Sequence, residues 1–115
     1  MNYDIIDLDH LTRQTSGDDA LAREVLHLFA VQAPAELARM RSINGSDRRE
    51  AAHLLVGSAR AIGAAKVARL AAAIEAGGDG ADALEAAVAE AIAFIVERFG
   101  ASDMIRTGSL PRNRL

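Results

Sequence analysis

His53 is the residue of this sequence whose neighbours are best suited to chemistry. In a helix, at about 100° per residue, Arg49, Gly57 and Arg60 fall within roughly 60° of it. Neutral imidazole is a good nucleophile near physiological pH, and arginine side chains bind phosphate oxygens through paired hydrogen bonds. This set of side chains therefore predicts a histidine that accepts a phosphoryl group.

Gly57 is the second unusual feature of this segment. Glycine costs a helix about 1 kcal/mol relative to alanine, yet it stands here in a sequence in which 25 of 115 residues are alanine. We expect the missing side chain to give an approaching group access to His53. A second interpretation stays open, in which His53 is an ordinary surface residue and Gly57 only admits a neighbouring helix.

The opposite face of the same helix is predicted to be buried. Its residues are apolar or small: Ala51, Leu54, Leu55, Ser58, Ala61 and Ile62. Because Ser58 belongs to this face, we assign it to packing or orientation rather than to chemistry. Val56 and Glu50 fall on the side of His53 and are predicted to be exposed with it.

The other two histidines carry no comparable pattern. His27 falls at the edge of an apolar stripe and is predicted at the surface or at its boundary, while His10 has no identifiable partner. No two histidines are four residues apart and the chain has no cysteine, so we predict no metal site. The sequence also lacks a glycine-rich nucleotide loop, and we expect it to bind no cofactor.

Apolar residues at helical spacing predict a short helix followed by longer ones. The short helix covers about residues 7–15, and Asp18 caps the second. This second helix continues toward Ile43, either as one helix kinked near Pro34 or as two stacked pieces. The pair Asn44-Gly45 is expected to end it.

The remaining helices are bounded by glycines. Ser46 or Asp47 is predicted to cap the third helix, which runs to about Ile62 before a corner at Gly63. A fourth helix ends before the glycine-rich loop 77–80. The fifth is predicted to open at Asp82 and to end at Gly100.

Composition and loop length together predict the fold class. Abundant alanine, 3% aromatic residues and two prolines exclude a β-sandwich or barrel. Short loops between long amphipathic segments favour antiparallel neighbours, so we predict an all-α, antiparallel four-helix bundle with a short extra N-terminal helix over residues 1–100. Residues 101–115, which are basic and aperiodic, are predicted to be a flexible tail.

Charge and hydropathy exclude several classes of partner. A net charge of −3 argues against a dedicated nucleic-acid-binding protein. No apolar run approaches the roughly 20 residues that a membrane span needs. The first residues carry acids where a secretory signal would be basic, so we expect a cytoplasmic protein.

The segment from Ala52 to Ala64 resembles the signature of histidine-containing phosphotransfer (HPt) domains. That signature is Ala-His, two residues of which the second is apolar, Lys-Gly-Ser, a few small residues and Gly-Ala; here the segment reads AHLLVGSARAIGA. The family's short first helix, its Gln-x-Pro break (Gln32-Ala33-Pro34) and its following helices cover roughly residues 7–99. The resemblance implies an HPt-like four-helix bundle.

The resemblance also implies roles for individual residues. His53 would be phosphorylated through its outer ring nitrogen, and Gly57 would leave room for the active site of the partner. The family's lysine, which is thought to help neutralise the phosphoryl group, is Val56 here. Arg60 or Arg49 could supply that charge from the same face. Val56 is then expected to be an apolar contact for the partner, with Glu50 also on that partner-binding surface.

The implied function is that of a phosphocarrier in a multistep two-component phosphorelay. His53 would take a phosphoryl group from the phospho-aspartate of one response-regulator receiver domain and pass it to another. The expected partners are receiver domains and a hybrid histidine kinase. The receiver would supply the magnesium ion, so the chain would act as a monomer without kinase or ATPase activity of its own.

Two other functions remain open at this point. Because Val56 replaces the lysine, the chain could be a degenerate HPt adaptor or inhibitor that binds receivers or kinases without efficient transfer. It could also be a plain helical interaction module. Labelling of His53 by a phosphorylated partner would distinguish these from the phosphocarrier.

Overall fold

The computed structural model describes residues 5–41 and 44–100, and these form five α-helices and no β-strand. The all-α class is therefore confirmed. The predicted tail at 101–115 and the predicted contribution of Ile43 lie outside the described residues. The helices are α1 (Leu8–Gln14), α2 (Asp19–Met40), α3 (Gly45–Ile62), α4 (Ala65–Glu75) and α5 (Ala81–Phe99).

For α3 and α5, the observed start of the helix differs from the predicted one by one or more residues. The cap of α3 is Asn44, not Ser46 or Asp47, because its backbone is extended and its side-chain oxygen accepts from the amides of both residues, at 2.9 and 3.3 Å. Helix α5 begins at Ala81 after Gly80, which has φ 116°, and Asp82 lies within its first turn. The predicted cap at Asp18 is confirmed by its 3.0 Å bond from the amide of Leu21.

Helix α2 is continuous through Pro34, so the alternative of two stacked pieces is wrong. Proline removes one backbone donor. The helix nevertheless continues because side chains before and after Pro34 are buried in the core, including Phe29, Ala33 and Met40. Tertiary packing of this face outweighs the local preference for a break.

The four long helices contact one another in a closed order. Helix α2 packs on α3, α3 on α4, α4 on α5 and α5 on α2, while α1 lies against α3 and α2. Alanines that are fully or almost fully buried let the helices approach closely. The larger core side chains between the helices include Leu26, Leu55, Ile62, Val67, Leu84, Val88 and Ile95.

The corner between α3 and α4 also holds α1. Gly63 has φ 80°, and a Cβ atom added there would lie 2.9 Å from the carbonyl oxygen of Asp7. The amide of Asp7 donates to the carbonyl of Gly63 at 3.0 Å, and Nε2 of His10 bonds the carbonyl of Arg60 at 2.9 Å. The glycine predicted at this corner is therefore required for the close approach of α1.

The buried face of α3 is rotated by about a quarter turn from the predicted one. Val56 is only 5% exposed and belongs to the core, whereas Leu54 is 46% exposed. The prediction failed because it assumed one apolar face, while α3 packs against both α2 and α4 and these two neighbours together select the arc that is buried.

His27 is buried, with 9% exposure, and the prediction of a surface or boundary residue is wrong. Its Nε2 atom has no hydrogen-bond partner among the described residues. Residues on the same side of α2, such as Ala30, are buried too, which shows that the packed arc of α2 is wider than its apolar stripe.

None of the helices in the described part of the chain has the length and apolar character to cross a membrane.

Candidate functional site

His53 lies on the outer face of α3, as predicted, with 71% of its side chain exposed. Its Nδ1 atom is 2.6 Å from Oε2 of Glu75, the last residue of α4. The imidazole is thus held at one ring nitrogen by a neighbouring helix and open to solvent elsewhere. This arrangement differs from that of a free surface histidine, which would have no fixed orientation.

The bond to Glu75 determines which nitrogen of His53 is available for reaction. A carboxylate accepts hydrogen bonds and donates none, so Nδ1 carries the proton in this contact. The lone pair of the neutral ring is then on Nε2, the outer nitrogen. Glu75 also places a negative charge beside the ring, where it stabilises positive charge that develops when Nε2 attacks an electrophile.

Glu75 is the site residue that the sequence interpretation missed. It lies 22 residues after His53, and nothing in its local sequence distinguishes it from a surface glutamate. A signal was nevertheless present, because two helices that turn back at Gly63 bring together residues at similar distances from the corner. His53 is ten residues before Gly63 and Glu75 is twelve after it.

Gly57 faces open space one turn beyond His53. A Cβ atom added at this position would meet nothing within 4 Å. No helix in the described part of the chain approaches it, so the interpretation in which Gly57 admits a neighbouring helix has no support. The glycine leaves a bare, accessible turn beside the imidazole.

The two arginines that the sequence placed beside His53 have different surroundings. Arg49 lines a cleft of about 250 Å³ together with Arg48, Gly77 and Gly78, at the end of α4. Arg60 is exposed on the other side of Gly57, and its guanidinium has no hydrogen bond or ion pair with any described residue. The structure therefore brings these arginines to opposite ends of the exposed face.

The remaining predicted site residues have mainly structural contacts. Val56 cannot serve as the exposed partner contact that was predicted, because its side chain is buried in the core. Ser58 is half-buried, and its Oγ donates to the carbonyl of Leu54 at 3.1 Å, which agrees with a packing role. Glu50 remains exposed, but its carboxylate accepts from Arg39 of α2 at 2.9 Å.

An exposed apolar surface, which the sequence interpretation also missed, lies beside His53. Leu28 and Val31 of α2 and Leu54 of α3 are each about half exposed; we call these three residues the apolar patch. Leu28 also lines a groove of about 170 Å³ between the two helices. Leu54 follows His53 directly in α3, and the Arg39–Glu50 ion pair links α2 to the same helix.

The described residues contain no group of three or more histidine, cysteine, aspartate or glutamate side chains that could hold a metal ion. A cavity of about 690 Å³, lined by Asp7, Phe94 and Arg98 among others, lies near the α3–α4 corner and not at His53.

No protein-family model matches this chain, and no curated protein or solved structure is significantly similar to it.

Proposed function

We propose that this protein is a histidine phosphocarrier of a multistep two-component phosphorelay, in which His53 receives and donates the phosphoryl group. The observation that carries the proposal is the state of the imidazole. Its Nδ1 is held by Glu75 at 2.6 Å, while the ring is largely exposed beside the bare turn at Gly57. A surface histidine without a chemical role has no need of a fixed tautomer and an open approach.

The transfer step follows from this geometry. The lone pair of Nε2 attacks the phosphorus atom of an aspartyl phosphate on a receiver domain. The N–P bond forms as the bond between phosphorus and the carboxylate oxygen breaks, and the carboxylate leaves with the electron pair. The Nδ1 proton stays in its bond to Glu75, whose charge balances the cationic ring of the phosphohistidine. The reverse sequence of bond changes passes the group to a second receiver.

The arrangement of the helices supports an HPt-like antiparallel four-helix bundle with a short extra helix. Each long helix contacts its neighbours in the order α2, α3, α4 and α5, and α5 returns to α2. Short connections at Gly63 and at residues 76–80 favour antiparallel packing of consecutive helices. Such a bundle presents His53 on the outside of one helix, where a partner reaches it.

The apolar patch supports docking of a receiver domain next to His53. Leu28, Val31 and Leu54 are half exposed, and exposed apolar clusters of this kind mark interaction sites. Three side chains supply far less than the roughly 800 Å² per partner of a standard stable interface. The patch therefore fits a transient partner, such as a receiver domain or a hybrid histidine kinase. The proposed carrier is otherwise a cytoplasmic monomer.

The test is direct labelling of the histidine. The purified protein is treated with phosphoramidate, which transfers its phosphoryl group to imidazole and releases ammonia, and separately with receiver domains charged with acetyl phosphate and magnesium. We expect an acid-labile, base-stable label on the wild-type protein and none on His53→Gln. His10→Gln is the matched control and should be labelled normally, because the glutamine amide can still donate to the carbonyl of Arg60 that His10 contacts. Equal labelling of wild type and His53→Gln would contradict the proposal.

A second candidate function is that of an adaptor that binds receivers without efficient transfer. The burial of Val56 favours it, because no cation stands at that position of the signature segment. The same experiment separates the two functions. Binding of a receiver without label on His53 would support the adaptor and exclude the carrier.

A further inference from the structure

Arg60 is the positively charged residue of α3 that lies on the C-terminal side of His53, on the same face of the helix. It falls about 20° from His53 around the helix, and Gly57 lies between them. Its guanidinium has no ion pair among the described residues. An exposed arginine with no carboxylate partner on the face of a reactive histidine is available to an incoming anion.

The other cations near the site are directed elsewhere or already paired. Arg39 contacts both Glu36 and Glu50, and its hydrogen bond to Glu50 is the main reason why the pKa of Arg39 is raised. Arg49 shares a cleft with Arg48 beside the loop after α4. Because helical side chains lean toward the N-terminus of their helix, Arg49 leans away from His53, whereas Arg60 leans toward it.

The approach to His53 is otherwise negatively charged or neutral. Glu75 contacts the ring directly, and Glu50 lies about one turn before His53. A phosphoryl group brings further negative charge, and its transfer depends mainly on positioning and on cations that neutralise its oxygens. A cation of this chain on the same face would add to the magnesium ion that a receiver supplies, and would be the neutralising group when a small phosphoryl donor reacts without a receiver.

We propose that Arg60 is the phosphoryl-binding cation of this site, and that Gly57 leaves open the path along which the Arg60 side chain reaches the group on Nε2. This inference rests on the proposed phosphocarrier function. The Cα atoms of His53 and Arg60 are seven residues apart, or about 10 Å along the helix axis. An extended arginine together with a phosphoryl group on the imidazole spans that distance, whereas a Cβ at position 57 would stand between them.

Helix α1 supports the turn from which Arg60 projects. The carbonyl of Arg60 accepts from Nε2 of His10 at 2.9 Å, and the carbonyl of Gly63 accepts from the amide of Asp7 at 3.0 Å. These bonds hold the last turn of α3, where helices ordinarily fray. The backbone that carries Arg60 is thus fixed while its side chain stays free.

The experiment measures the rate of His53 phosphorylation by phosphoramidate in wild type, Arg60→Ala, Arg60→Lys and Arg49→Ala. A lost hydrogen bond to a charged group corresponds to a rate about tenfold to a hundredfold lower, and we expect this loss in Arg60→Ala at saturating donor. Arg60→Lys should keep most of the rate because it keeps the charge. Added guanidinium ion at non-denaturing concentration should partly restore Arg60→Ala, and Arg49→Ala should resemble wild type.

The outcomes for Arg60 and for the carrier function are separable. If wild-type protein acquires no label on His53, the phosphocarrier function fails. If wild type is labelled and Arg60→Ala reacts at the same rate, or if Arg49→Ala loses as much rate as Arg60→Ala, only the role of Arg60 is overturned. Thermal melting of each variant, followed by circular dichroism, verifies that the compared proteins are folded.

Discussion

At the residue scale, the pairing of His53 with Glu75 decides which ring nitrogen of the histidine carries the proton. An imidazole at the surface exists as two tautomers, and only the one protonated on Nδ1 has its lone pair on Nε2. The carboxylate of Glu75, 2.6 Å from Nδ1, selects that tautomer. Glu75, which its local sequence does not distinguish from any surface glutamate, therefore accepts the hydrogen bond from the imidazole of His53.

Substitution of Glu75 should separate its orienting effect from its charge. Glu75→Gln keeps an oxygen that accepts from Nδ1 but loses the charge, and Glu75→Ala loses both. We expect phosphorylation of His53 by phosphoramidate to be slower in Glu75→Gln and slowest, by about tenfold or more, in Glu75→Ala. Nitrogen-15 NMR of the ring should show a mixture of tautomers in Glu75→Ala.

The control for that prediction is a substitution of another exposed glutamate, followed by the same two measurements. Glu90, an exposed glutamate on α5 that contacts Lys66 and not His53, serves as the matched site, and Glu90→Ala should leave both rate and tautomer unchanged. A wild-type tautomer and rate in Glu75→Ala would show that the contact has no chemical role.

At the scale of elements, Gly57 within α3 and Gly63 at the α3–α4 corner differ in whether their surroundings admit a side chain. Gly57 is an exposed helical position with open space around it, whereas Gly63 has φ 80° and lies against the backbone of Asp7. The first could accept a side chain without strain. The second could not, because a Cβ atom would be both in an unfavourable conformation and within 3 Å of a backbone oxygen.

Alanine at these two positions should therefore shift stability in opposite directions. We expect Gly57→Ala to raise the free energy of unfolding by about 1 kcal/mol, the difference in helix propensity. Gly63→Ala should lower it by about 1–3 kcal/mol through strain and the loss of α1 contacts. Urea denaturation measures both, and a destabilised Gly57→Ala would mean that the turn beside His53 is not open in the folded protein.

Some features of these helices follow from local sequence patterns and others do not. Local sequence predicts several features correctly, because caps and glycine corners depend on residues within one turn. They are the short first helix, the cap at Asp18, the end of α3 at Gly63 and the loop at 77–80. The continuity of α2 through Pro34 and the burial of Val56 and His27 do not follow from local sequence. They depend on which neighbouring helices cover each face.

At the scale of the whole molecule, the residues of the proposed chemistry and those of the proposed docking surface lie on different helices. His53 and Gly57 are on α3, Glu75 is on α4, and the apolar patch is mainly on α2. The packing of α3 against both α2 and α4 brings these helices together. Under the proposed function, a partner that docks on α2 and α3 would present its phosphoryl group to His53, whose Nδ1 is held by Glu75 of α4.

Docking and chemistry should accordingly respond to different substitutions. We expect Leu28→Asp to slow transfer from a phosphorylated receiver domain by about tenfold or more, since an introduced charge must be desolvated in an apolar contact. Phosphorylation by phosphoramidate, which needs no docking, should be unchanged. Ala86→Asp, at an exposed position on α5, is the control; an equal loss in both variants would argue against the patch as the docking surface.

The sequence by itself determined the all-α class, most helix boundaries and the outward position of His53 beside Gly57. These features follow from local propensity, capping and helical periodicity, which act over a few residues. Only the tertiary structure decided that Glu75 holds the ring, that Val56 is buried, that Leu54 is exposed and that Arg49 and Arg60 lie in different surroundings. Each of these depends on the rotation and register of one helix against another, and that choice is made by packing energy summed over the whole core.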